Sequence, residues 1–100
     1  MARQAIDDGS WFNLDKATVF TEATQWNGNN RISVNTNSQW EHEALYRTAK
    51  GSFVLNSYSA YQGSIETWER IDDQSAVDWL IRNERDIPKD LQHLEGTNEI

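Results

Sequence analysis

Five carboxylates crowd one stretch of this chain: Glu66, Glu69, Asp72, Asp73 and Asp78. Carboxylates gathered in this way serve three kinds of chemistry. Two of them can share acid and base roles in a hydrolase. Several can hold a divalent cation, but a calcium loop needs acids at alternate positions followed by Gly and a distal Glu. Asp72-Asp73 does not supply that order. The third use is pairing with Arg and Lys of a basic partner. An ordinary solvated edge with a helix cap is the plain structural alternative. Trp68 stands inside the acidic run, and Trp is enriched where protein surfaces bind one another. The expected partner-binding set is therefore Glu66, Trp68, Glu69, Asp72, Asp73 and Asp78, facing a basic protein surface.

The remaining chemistry-bearing residues are scattered. There are two histidines, His42 and His93, and no cysteine. Neither histidine has a second ligand at zinc spacing, so no metal site is expected. His42 stands between Glu41 and Glu43, but strand alternation sends those carboxylates to the opposite face. A small enzyme using His42 as a general base is a weaker alternative. Ser52, Ser57, Ser59 and Ser64 have no Gly-x-Ser-x-Gly elbow around them and no evident base. Five scattered glycines form neither a phosphate loop nor a dinucleotide fingerprint. No catalytic residue and no cofactor is expected.

The elements that must position these groups are short. Residues 1–10 lack hydrophobic periodicity and read as a flexible arm. Residues 11–71 read as mainly β. In 17–26, Val19, Phe20, Ala23 and Trp26 sit at helical spacing, while Thr18, Thr21 and Thr24 favour a strand. Strand is preferred there and helix stays open. Asn27-Gly28-Asn29-Asn30 is a turn. Strands follow at 31–35, 40–48, 52–58 and 65–71, the second and third joined by Ala49-Lys50-Gly51. Trp40, His42, Ala44 and Tyr46 then share one face, and Phe53 and Leu55 lie opposite Val54 and Tyr58. Asp72 or Asp73 caps a helix ending near Asn83 or Arg85, with Ala76, Val77, Leu80 and Ile81 as its packing stripe. Pro88 opens a second helical turn through Leu91 and Leu94. Residues 72–94 are thus helical, and 95–100 read as a frayed tail. The expected fold is α+β: one domain over residues 1–100, an antiparallel β-meander of four to five strands with a C-terminal helix packed on one face.

Charge narrows the function. The net charge is −7, and it is unevenly spread. Residues 1–50 carry six acids and five bases; residues 51–100 carry ten acids and four bases. A field of this sign repels phosphate backbones, so no direct nucleic-acid binding is expected. No apolar run approaches the ~20 residues of a membrane-spanning helix, so no membrane association is expected either. The polar start, with Asp7 and Asp8, is unlike a signal peptide and points to a cytoplasmic protein. The aromatics Trp26, Trp40, Tyr58, Tyr61 and Trp68 suit a core, with a surplus available for contact. That surplus, with a free sheet edge, leaves a homo-oligomeric structural or interaction protein as the alternative function.

Trp11-Phe12-Asn13-Leu14-Asp15-Lys16-Ala17, then Glu43-Ala44-Leu45-Tyr46-Arg47-Thr48, Gly51, Phe53-Val54-Leu55 and a helix with Ala76 and Trp79, resembles small accessory proteins of plasmids, integrated elements and phages. The likeness covers roughly residues 11–85 and transfers no assigned chemistry. It implies a cytoplasmic accessory protein of a mobile element. Such elements encode compact acidic inhibitors of host defence, of anti-CRISPR and anti-restriction type. By analogy, the expected function is non-catalytic binding, as an inhibitor of a nucleic-acid-handling complex such as a nuclease or CRISPR effector.

Overall fold

Residues 2–10 are half of a hairpin, where the sequence suggests a loose arm. The reason is Ile6, a single apolar residue too isolated to show periodicity, which is buried at 8% exposure. Strand β1 (Arg3–Ala5) pairs antiparallel with β2 (Trp11–Asn13). Between them, Ile6 N donates to Ser10 O at 2.8 Å, and Gly9 takes φ +91° in the turn. Asp7 N donates to Trp68 O at 2.9 Å, tying the hairpin to the main sheet. The structure, a computed structural model, describes every residue except Met1, Tyr61, Gln62, Ser64 and Asn98. Tyr61, counted among the aromatics available for core or contact, and Ser64, read as a serine without a base, lie outside the described residues.

The threonines decide the ambiguous stretch. A short 3-10 turn at Leu14–Lys16 leads into β3 (Thr18–Thr21) and β4 (Thr24–Trp26), with no α-helix. Asn13 caps the turn by accepting from Asp15 N at 2.9 Å. β4 pairs with β5 (Arg31–Ser33) as a separate two-stranded ribbon. Its turn is closed by the Asn27 side chain, which accepts from Asn29 N and Asn30 N, while Gly28 takes φ +102°.

The main sheet adds β6 (Glu41–Arg47), β7 (Phe53–Ser59) and β8 (Thr67–Ile71). Its order is β3-β6-β7-β8, antiparallel throughout. The last strand begins two residues later than its pattern suggests, and Ile65 stands 87% exposed before it. Helix α1 (Asp73–Arg82) follows at once, then a 3-10 stretch at Lys89–Leu94.

Alternation divides the sheet into two cores. On one face, Leu45 and Phe53 meet Ala76, Val77, Trp79 and Leu80 of α1. Ile81, expected in the packing stripe, is 46% exposed, and Trp79 takes the inward position instead. The inward stripe is thus i, i+1, i+3, i+4. On the other face, Val54 and Trp68 meet Ile6 and Phe12 of the hairpin. The α+β reading and the helix on one face both hold, and the opposite face is covered too. Arg47 fastens the chain end to the sheet by a two-pronged bond to Asp90, at 3.1 and 2.5 Å.

Asp72 is the helix cap, accepting from Ser75 N at 2.8 Å. That bond holds its carboxyl below the ordinary 3.8. Bonds from Ser10 and from Arg47 hold Asp8 and Asp90 low in the same way. A carboxyl depressed in the folded state adds stability above its unfolded value, and that stability is lost as pH falls through the folded value. The protein should therefore lose stability as pH drops below about 4, and Asp72→Asn should flatten that dependence. Urea midpoints measured across the acid range check both statements.

Candidate docking face and the His42 network

The acidic run does not gather on one face. Trp68, expected as an exposed contact, is only 8% exposed. Its ring packs on Phe12 at 5.9 Å and on Tyr46 at 5.2 Å between centroids. The hairpin that buries it lacks hydrophobic periodicity, so the sequence pattern leaves the ring without a visible partner. Glu66, exposed, accepts from Asn56 Nδ2 at 3.2 Å on the hairpin side of the sheet. Asp78, half-buried on α1, accepts from Gln74 Nε2 at 2.9 Å. Glu69, Asp72 and Asp73 remain exposed together at the junction of β8 and α1.

The bases are spent differently. Arg47 is held by Asp90. Arg85 donates to the carbonyls of Thr21 and Glu22 at 2.9 and 3.2 Å. Arg3 lies over the Trp11 ring at 5.0 Å. These three arginines thus serve the fold, while Glu69 and Asp73 of the second half face water.

His42 does have a carboxylate, but it comes from outside its strand. Nδ1 lies 2.8 Å from Glu22 Oε2, and Nε2 lies 3.1 Å from the Gln39 carbonyl. The other oxygen of Glu22 accepts from Ser33 Oγ at 3.0 Å and from Glu43 N at 2.6 Å. Serine, histidine and acid are all present, yet in the wrong order for nucleophilic catalysis. The hydroxyl sits on the carboxylate, and the second ring nitrogen points at a carbonyl. The arrangement ties β3, β5 and β6 together and leaves no activated nucleophile. Tyr58 stacks beside His42 at 5.5 Å, and burial, then the nearby Glu22 and Tyr46, push its phenol above the usual value.

Next to this network, Asn83 is fully buried at the end of α1. Its oxygen accepts from Ala23 N at 2.8 Å, and its amide donates to Trp79 O at 2.7 Å. It also exchanges a pair of 3.0 Å bonds with the Asn35 amide. Trp79 Nε1 donates to Glu43 Oε1 at 3.0 Å, which explains how a Trp enters the helix interface. Sequence reasoning places Asn83 only near the end of the helix and misses Glu22. The available signal was that Glu22 is the one charged residue between Lys16 and Arg31.

Among the described residues, no group of three or more His, Asp and Glu could hold a metal ion. No helix among them is long and apolar enough to cross a membrane. Compared with known proteins, the chain matches no family model, no curated protein sequence and no solved structure.

Proposed function

We propose that this is a non-catalytic protein-binding domain that docks on a basic surface through Glu69, Asp72 and Asp73. The observation that carries it is the exposure of Glu69, Asp72 and Asp73 at the junction of β8 and α1, in the more acidic half of the chain, while Arg47 and Arg85 are bonded within the fold. Such a face attracts Arg and Lys that would otherwise hold phosphates. The sequence resemblance supports a cytoplasmic role in a mobile element, with a nuclease or CRISPR effector complex of the host as partner and inhibition as the outcome. Reversing Glu69 and Asp73 to Lys should weaken binding to a basic nuclease complex at least tenfold at low salt and reduce its salt dependence. Unchanged affinity across the salt series would sink this reading.

One feature favours self-association as a second reading. β3 lies at the edge of the sheet, carries no charged residue, and leaves Val19 50% exposed. Sheet edges are usually blunted by charge, proline or a cover. Sedimentation at micromolar concentration separates the two readings, since a strict monomer removes this one.

A further inference from the structure

On the hairpin side of the sheet, away from Glu69, a cleft of about 370 Å³ opens between the β1–β2 hairpin and the turn at residues 48–52. That volume falls within the range of small-ligand sites. Its floor is apolar: Ile6, Phe12 and Val54 line it and are all buried. Trp11 forms a wall and is 56% exposed.

The charge of this cleft opposes that of the protein. Lys50 and Arg70 line it, and among the described residues no Asp or Glu does. Alternation explains Arg70, which stands across from Val54 on the same face. Its guanidinium donates to Ser52 Oγ at 3.3 Å, a long bond to a neutral group. Asp8, which lies near enough to feel Arg70, is already bonded to the Ser10 amide and hydroxyl, and Asp72 and Asp73 share a neighbouring groove with Arg70 outside the cleft. Two cations over an apolar floor, in a chain of net charge −7, make a site for a small anion with an apolar body.

We propose that this cleft binds a small organic anion, a carboxylate carried on a flat apolar ring system. The ring lies on Phe12 and Val54 beside Trp11. The carboxylate meets the Arg70 fork, with Lys50 as a second charge. Lys50 and Arg70 also line a neighbouring groove with Asp72 and Asp73, so the cleft borders the docking face, but its apolar floor is its own and its ligand is tested apart from that reading.

The test is an NMR titration with 2-naphthoate, following the methyl groups of Ile6 and Val54. Neutral 2-naphthamide and inorganic phosphate serve as comparison probes. Naphthoate should shift both residues and bind at least tenfold tighter than either comparison. Arg70→Gln, with its fold checked by circular dichroism, should abolish the advantage of naphthoate over naphthamide. Ala49→Trp should obstruct the mouth and weaken both ring probes while leaving the charges in place. The proposal is overturned if naphthoate leaves Ile6 and Val54 unmoved at millimolar concentration. It is equally overturned if naphthamide binds as well, if phosphate binds as well, or if Arg70→Gln changes nothing.

Discussion

Trp68→Ala should cost about 3–5 kcal/mol of folding stability, the usual range for removing a large buried ring. The ring is 8% exposed and closes a triangle with Phe12 and Tyr46. Its loss opens a void between sheet and hairpin, and Ile6 and Phe12 lose the surface they pack on. Small domains hold only about 5–15 kcal/mol in total, so this variant should sit close to its unfolding threshold at room temperature. Trp68→Phe keeps a ring in place and should cost distinctly less. Urea denaturation checks both. A cost under about 1 kcal/mol for the Ala variant would return Trp68 to the surface and revive it as a docking residue.

Asn83→Ala should cost about 2–4 kcal/mol, because it strands several buried groups at once. Ala23 N–H loses its acceptor, and Asn35 loses both its bonds to the Asn83 amide. The Trp79 carbonyl loses the side-chain donor. Asn83→Leu should do no better, since filling the volume restores none of these bonds. Asn35→Ala should cost less, for Asn83 would keep Ala23 and Trp79 as partners. The double variant should fall short of the sum of the two single costs, as expected for residues in one network. Chemical denaturation of the four proteins checks this series.

What could be read before the structure follows the periodicity of apolar residues. Leu45 to Tyr46 and Phe53 to Leu55 alternate cleanly, and both strands and their faces are as expected. Asp72 and Asn83 bracket α1 because capping chemistry is local to a turn. The hairpin at residues 3–13 was not legible, because its strands have three residues each and one buried apolar side chain before the turn. That omission carried over to the site: without the hairpin, Trp68 looked available. Glu22 was missed for a different reason. Its partners Ser33, His42 and Glu43 are brought to it by pairing between distant strands, which no local spacing announces. Of the expected docking residues, Glu66, Glu69, Asp72 and Asp73 are exposed as the expectation required, Asp78 is half-buried, and Trp68 is buried.

The two covers of the sheet come from opposite sides of it in the chain. Residues 3–13 close one face, and residues 73–94 close the other. During synthesis the β6–β7 pair can form from neighbouring residues, yet the hairpin has no Trp68 to sit on until β8 emerges. Even then, Leu45 and Phe53 stay uncovered until α1 has left the ribosome. Nascent chains that have emerged from the ribosome only as far as residues 72–80 would therefore present one sealed face and one sticky one, a half-finished form suited to chaperone capture or aggregation.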